Sequence, residues 1–184
     1  MTEEEQNEML EALAEEQTVV PKDSEIFNKI LTGNITVDDI SDEVYKSYIR
    51  SVLGGTPFRM AFSLFDNAVQ IEYSEVSTEN CDKYNKLVSK YSYSPYLLQK
   101  LASLVYICSI KLQDHIPYDD NFNIPDSWLS DTITEQEFTK EVEAAYVRAF
   151  GFLNEAINRV LPLFWSGFNQ ILKLLVIKGA PTSF

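Results

Sequence analysis

The sequence holds few residues whose types and spacing could perform chemistry. His115 is the only histidine, and it falls at the predicted end of a helix just before Pro117, where an imidazole stabilises the helix dipole. A serine or cysteine nucleophile would need this histidine as its base, but no nucleophile motif accompanies it. We therefore expect no catalytic residue and no enzymatic activity.

The two cysteines, Cys81 and Cys108, both fall at apolar positions of predicted helices. With a single histidine they cannot make up a zinc site. The pattern predicts two buried, reduced thiols, and the spacing gives a disulfide no support.

A calcium loop is the nearest match to a metal site. Asp119, Asn121 and Asn123 occupy its first three ligand positions, but Ile124 and Ser130 stand where glycine and a bidentate glutamate are needed. No glycine-rich phosphate loop is present either. We expect neither a metal nor a cofactor.

Charge is unevenly distributed along the chain. Of the net charge of −13, residues 1–25 account for −8, with nine acids and one lysine. Because acidic surfaces repel phosphate groups, the composition disfavours nucleic acid and anionic membranes as partners. This acidic N-terminal arm is interpreted either as a frayed, solvated helix or as a segment that recruits a partner through Met9, Leu10 and Leu13.

Residues 160–177 form the most apolar stretch. Ser166, Asn169, Gln170 and Lys173 interrupt it, and Pro162 lies near its start, so a buried or partner-facing helix is favoured over a membrane span. The acidic N-terminus does not have the pattern of a secretory signal, so the expected compartment is the cytoplasm.

A β-hairpin is predicted at residues 58–73, because two segments with alternating apolar residues flank Asp66 and Asn67. A tight turn there pairs Leu64 with Val69 and places every apolar side chain on one face. The outer face and two unpaired edges would then be open to another chain.

Helical periodicity dominates the rest of the sequence. The predicted helices cover residues 24–32, 36–53 or 41–53, 77–92, 95–115 and 134–161, with a kink or break at Pro162 before a last helix at 163–177. Residues 116–133 are predicted as an ordered loop. The expected fold class is mainly α: a helical bundle with one two-stranded antiparallel hairpin. Residues 1–23 form an acidic arm, and residues 24–184 form a single helical domain.

Two surfaces are predicted to bind a partner. The last helix is more apolar than a surface helix needs to be, which is typical of an interface. The hairpin's polar face is the other surface. The candidate residues are Arg59, Ser63, Gln70 and Glu72 in the hairpin, and Phe164, Trp165, Phe168, Leu172 and Phe184 at the C-terminal end.

Residues 53–80 combine a small-residue turn after a helix, a strand, a tight turn, a second strand and a capped helix. These features are carried by Pro57, Phe58, Phe62, Leu64, Asp66, Asn67, Val69, Ile71, Ser77, Thr78 and Glu79. In this combination the segment resembles a group of small tail and baseplate assembly proteins of tailed bacteriophages, which includes tail assembly chaperones.

This resemblance implies a non-enzymatic structural or assembly protein of a virion, assembled in the host cytoplasm. Its partners would be tail, hub or tape-measure proteins, or further copies of itself. The alternative function is that of a cellular helical adaptor or regulatory protein-binding module.

Overall fold

The computed structural model describes residues 2–5, 28–30 and 32–179. In this part of the chain, helices pack on one face of a four-stranded antiparallel sheet with the strand order β1-β2-β3-β4. The elements are α1 (Asp42–Gly54), β1 (Arg59–Leu64), β2 (Val69–Ser74), α2 (Thr78–Lys90), α3 (Pro95–Tyr106), β3 (Ile107–Leu112), β4 (His115–Asp119), α4 (Glu135–Phe150) and α5 (Glu155–Lys178), with 3-10 turns at Val37–Asp39 and Asp126–Leu129.

The predicted hairpin register is confirmed. Leu64 pairs with Val69, Phe62 with Ile71 and Met60 with Tyr73. The turn between the strands closes with the Ala68 N–H donating to the Phe65 carbonyl. Phe65, Asp66 and Asn67 all have positive φ. Such a turn suits the right-handed twist of paired strands, and Asp and Asn tolerate that conformation best among non-glycine residues.

The predicted helix over residues 95–115 is wrong in its second half, and with it the predicted fold class. Helix α3 ends at Tyr106, and the chain forms the β3–β4 hairpin instead, so the fold is α+β rather than a helical bundle with a two-stranded hairpin. Residues 107–112 form a strand rather than a helix because pairing with β2 gives hydrogen-bond partners to the backbone groups at the edge of β2. Both cysteines were predicted to be helical, but Cys108 lies in β3.

The C-terminal region also differs from the prediction. The helix that starts at Glu135 ends at Phe150, and α5 continues through Pro162 to Lys178. Asn154 is the N-cap of α5, since its side-chain oxygen accepts from the Ile157 N–H at 2.9 Å. Proline removes one helical hydrogen bond. Burial of α5 on the sheet outweighs that loss.

Serine and threonine side chains cap three of the helices. The Ser41 and Ser77 side chains cap α1 and α2, and Thr134 with Glu137 forms a capping box at α4, whereas the Ser94 side chain makes no cap bond at the start of α3. Gly55 ends α1 with φ of 65°, a conformation that glycine adopts without steric cost.

Aromatic rings join the sheet to α5. Phe62 stacks on Phe164 with ring centroids 4.9 Å apart, and Phe58 stacks on Phe168 at 6.2 Å. The Tyr73 hydroxyl, which is fully buried, donates to the Leu161 carbonyl at 3.1 Å. Burial raises the pKa of Tyr73 well above its ordinary value, so this hydroxyl remains a donor in alkaline solution.

Gly167 allows the segment before α1 to pack against α5. A Cβ at position 167 would lie 2.0 Å from Ile30 Cγ2 and 3.7 Å from the Phe62 ring. Ile30 is 2% exposed. The same segment is tied again at the end of α5, where the Lys178 amine donates to the Ile40 carbonyl at 3.3 Å.

The close approach at Gly167 gives a first prediction. Gly167→Ala should lower the free energy of unfolding by about 1–3 kcal/mol because overpacking at Ile30 exceeds the gain in helix propensity. Chemical denaturation measures this change. Gly54→Ala is the matched control, since its Cβ would meet only Thr56 Oγ1 at 3.8 Å and should leave stability unchanged or slightly raised.

The double variant Ile30→Ala/Gly167→Ala tests the cause. Removal of Cγ2 relieves the clash, so the double variant should be more stable than the sum of the two single effects predicts. Simple additivity would contradict the proposed contact.

Candidate functional site

The four hairpin residues predicted to bind a partner share the outer face of the sheet. The register pairs Ser63 with Gln70 and Ala61 with Glu72, which puts Arg59 and Ser63 on the same side as Gln70 and Glu72. All four are half-buried. The predicted polar face of the hairpin is therefore confirmed, although the edges of the hairpin differ from the prediction.

Glu72 is the centre of this face. The Arg59 guanidinium lies 3.8 Å from its carboxylate, and the Cys108 thiol donates to the same carboxylate oxygen at 3.1 Å. Burial, together with the negative charge of Glu72, raises the pKa of the Cys108 thiol well above its ordinary value. The thiol is therefore a protonated hydrogen-bond donor, not a nucleophile.

The hairpin does not offer two open edges, so that prediction is wrong. Strand β3 occupies the edge of β2. On β1, the Phe58 carbonyl accepts from the Glu75 N–H, so Phe58 and Glu75 form a hydrogen-bonded pair. Because hydrogen-bonded and non-hydrogen-bonded pairs alternate along an antiparallel ladder, the N–H and C=O of Ala61 point away from β2, towards the outer edge of β1. Ala61 is only 1% exposed, which means that the middle of this edge is covered.

The opposite edge of the sheet, β4, is exposed but poorly suited to pairing. Pro117 lacks an N–H group, and the β3–β4 ladder is irregular between Ile110 and Leu112. Proline and irregular pairing are known devices that prevent strand addition. Ile116, at 54% exposure, is the large apolar side chain that this edge presents.

A cleft of about 500 Å³ opens at the end of the polar face. Charged and polar groups of Arg59, Glu75 and Asp120 line it, together with Cys108 and the start of α2. The Glu75 carboxylate also accepts from the Phe58 N–H at 3.0 Å, which fixes its position beside the first residue of the hairpin.

Asn80 positions one wall of this cleft. Its side-chain amide donates to the Phe122 carbonyl at 3.0 Å and accepts from the Ile124 N–H at 3.0 Å. Lys83, one turn further along α2, forms an ion pair with Asp126 at 2.7 Å. These contacts hold the loop that the sequence predicted as ordered, with Trp128 buried beneath it.

The C-terminal candidates divide into core and surface residues. Phe164 and Phe168 are fully buried against the sheet, so neither ring is available to a partner in this fold. Trp165 is half-buried and stacks on Tyr106 at 4.1 Å. Leu172 is half-buried against the core, and Phe184 lies outside the described residues.

Helix α5 is long and apolar enough to cross a membrane by length and composition. Its buried stripe, however, packs on the sheet, as expected for a core helix. The exposed side carries Arg159, Ser166 and Lys173, and it also carries Leu163, Val176 and Ile177, which are 43%, 59% and 60% exposed.

Among the residues considered for chemistry, Cys108, Asn121 and Asn123 line the same cleft. His115 is exposed at the start of β4, 3.6 Å from the Asp114 carboxylate, rather than at a helix end. Within residues 2–5, 28–30 and 32–179, no group of three or more histidine, cysteine, aspartate or glutamate residues could hold a metal ion.

Cys108 and its contact with Glu72 were missed, because the sequence placed the cysteine in a helix. A signal was present: Ile110 and Leu112 alternate with Ser109 and Lys111 before a polar turn. The preceding apolar run concealed this alternation.

The two hydrogen bonds of Asn80 generate a second prediction. Asn80→Ala should lower the free energy of unfolding by about 1–3 kcal/mol, because the Phe122 carbonyl and the Ile124 N–H lose their partners. Hydrogen exchange should show faster exchange at Ile124. Asn85→Ala, an exposed change on the same helix, should alter stability by less than about 0.5 kcal/mol. Equal effects would contradict the bridging role.

The raised pKa of Cys108 generates a third prediction. In a Cys81→Ala background at pH 8, iodoacetamide should modify Cys108 at least about a hundredfold more slowly in the folded protein than in denaturant, because little thiolate is present. Mass spectrometry over time measures the rate. A rate like that of the unfolded chain would show that the thiol is neither buried nor held protonated.

The polar face, the cleft beside it and the exposed apolar residues are the surface features on which a function can be argued. In comparisons with known proteins, no family model, curated protein or solved structure matches the chain.

Proposed function

We propose that this protein is a non-enzymatic structural or assembly protein of a bacteriophage virion, in the tail or baseplate region, and that it acts through protein–protein contacts. Its partners would be tail, hub or tape-measure proteins, or further copies of the chain. It would be assembled in the host cytoplasm and function in the virion.

The observation that carries this proposal is the form of residues 53–80. The end of α1, the left-handed Gly55, the β1–β2 hairpin and the Ser77-capped α2 follow one another without a break. These are the elements on which the resemblance to tail assembly proteins depends. The resemblance therefore rests on a continuous structural unit rather than on scattered residues.

Exposed apolar side chains support a role in protein contacts. At the start of this unit, Leu53 is 82% exposed and Val52 57% exposed. Two neighbouring large aliphatic side chains cost solvation free energy when exposed, and burial against a partner recovers it. Tyrosines 93 and 96, which are 62% and 67% exposed, provide a second apolar surface where α2 meets α3.

The test is the mass of the purified chain, alone and mixed with tail, hub and tape-measure proteins encoded beside it, measured by light scattering after size exclusion. We expect a complex of defined stoichiometry with at least one of them, or a defined homo-oligomer. A monomer that binds none of these proteins would overturn the proposal.

Variants identify the surface. Leu53→Ser should weaken the complex about tenfold or more, as expected for a buried apolar contact at an interface. Val147→Ser is the matched control, because Val147 is 65% exposed but lies on α4, outside residues 53–80. An unchanged affinity for Leu53→Ser would remove α1 from the interface.

A further inference from the structure

The turn between β1 and β2 exposes a phenylalanine on strained backbone. Phe65, Asp66 and Asn67 have φ of 53°, 53° and 69°, which is the left-handed region that residues other than glycine seldom adopt. Among the residues that the structure describes, Phe65 is the one large exposed apolar side chain with a positive φ, and it is 65% exposed. Strain of this kind persists where the surrounding structure holds it, and it concentrates at functional sites.

Neighbouring hydrogen bonds hold the turn in this shape. The Ser63 hydroxyl donates to the Asn67 side-chain oxygen, and the Ala68 carbonyl accepts from the Gln113 N–H at 2.8 Å. Gln113 belongs to the β3–β4 turn, and its φ of 45° is also positive. The two turns thus form one hydrogen-bonded tip, defined here as residues 65–68 with Gln113. Because the tip is fixed before binding, covering it costs little conformational entropy.

The cleft beside Arg59 lies at the opposite end of the same sheet. Strand β1 begins at Arg59, which lines the cleft, and ends at Leu64, next to the tip. Strand β3 likewise runs from Ile107 in the cleft to Leu112, just before Gln113. These strands of six residues hold the two surfaces about 20 Å apart. A contact between tip and cleft therefore cannot close within one molecule, but it can form between two copies.

The cleft matches the exposed ring in size and lining. Its volume of about 500 Å³ lies within the range of pockets that hold small organic molecules. Its apolar side chains are those of Pro57, Val76, Val105, Ile107 and Phe122. A second cleft of about 440 Å³, beside the start of α4, has Ile133 as its one large apolar side chain. A phenyl ring is therefore better matched to the cleft beside Arg59.

Asp66 at the tip and Arg59 at the cleft carry opposite charges. Asp66 has no ion-pair partner within residues 2–5, 28–30 and 32–179. The Arg59 side chain is 38% exposed, and its guanidinium lies 3.8 Å from the Glu72 carboxylate. Since a guanidinium has five N–H donors, Arg59 has donors left for a second carboxylate.

The carboxylates of the cleft favour a cation from the neighbouring copy. Glu75 already accepts from the Phe58 N–H at 3.0 Å, whereas Asp120 is exposed. Lys111 is exposed one residue before the end of β3, beside the tip. It can therefore lie near Asp120 of the next copy when the tip enters the cleft.

We propose that copies of this chain associate head to tail, with Phe65 of one copy in the cleft of the next and Asp66 near Arg59 of that next copy. Such a heterologous contact repeats, so it builds a ring where the rotation closes and a filament where it does not. The contact does not depend on the phage assignment, whereas its use in building a virion rests on the proposed function.

Sedimentation of the purified full chain at concentrations up to about 1 mM tests the contact without any other protein. We expect species larger than a dimer that grow with concentration or stop at a closed ring. Phe65→Gly should weaken association about tenfold or more, as expected for loss of a central aromatic anchor. Its thermal midpoint should be unchanged or higher, because glycine adopts positive φ without steric cost. Val147→Ser is the matched control, since Val147 is also 65% exposed, and it should associate normally.

A mixture of two defective variants tests the head-to-tail geometry. Phe65→Gly lacks the ring but keeps the cleft, whereas Thr56→Trp fills the exposed mouth of the cleft but keeps the tip. Each variant should be largely monomeric alone, and an equimolar mixture should form a dimer of one copy of each and nothing larger. Lys140→Trp, at the second cleft, controls for an added indole and should associate normally. If circular dichroism shows that Thr56→Trp is unfolded, Asn121→Trp at the same cleft replaces it.

Four outcomes would each overturn head-to-tail association: a chain that stays monomeric over this range, equal association of Phe65→Gly and Val147→Ser, a lower thermal midpoint for Phe65→Gly, or a mixture that stays monomeric. A monomeric chain that binds tail, hub or tape-measure proteins would overturn this contact and leave the proposed function intact. Head-to-tail assembly of a chain that no phage particle contains would do the reverse.

Discussion

The contact between the inner face of the β1–β2 hairpin and α5 is the interaction on which the rest of the structure depends. A two-stranded hairpin is only marginally stable in water, and it requires an apolar layer on one face. Phe164 and Phe168 supply that layer through parallel stacking on Phe62 and Phe58. The Tyr73 hydroxyl also donates to the Leu161 carbonyl, next to Pro162, which adds a hydrogen bond between the sheet and α5.

This contact also determines what the surface can do. Because α5 is buried along one side, its aromatic residues stabilise the fold and are not available for binding. The surface instead presents a half-buried polar sheet face, a cleft beside Arg59 and exposed apolar residues at helix ends such as Leu53. Both sheet edges are protected, one by burial of Ala61 and the other by Pro117. Helix surfaces are therefore better candidates for partner contacts than strand addition.

Part of the candidate site could be derived from the sequence. The side on which Arg59, Ser63, Gln70 and Glu72 lie follows from strand alternation, because a one-residue shift would expose every apolar residue of the hairpin. The contact of Glu72 with Cys108 could not be derived, since it joins residues that are 36 positions apart through the pairing of β2 with β3. The wall that Asn80 builds around the cleft has the same origin, because its partners lie over 40 residues away.

The sequence by itself determined the local structure: the hairpin register, the caps at Ser41, Ser77 and Thr134, and the glycine that ends α1. Each depends on residues within a few positions of one another, so the physical cause is visible in the chain. Only the tertiary structure decided that residues 107–119 form strands, that Pro162 remains inside a helix and that Phe164 and Phe168 face inward. In each case an apolar run was compatible with more than one conformation, and the unpaired edge of β2 and the apolar face of the hairpin selected the one that buries side chains and satisfies backbone hydrogen bonds.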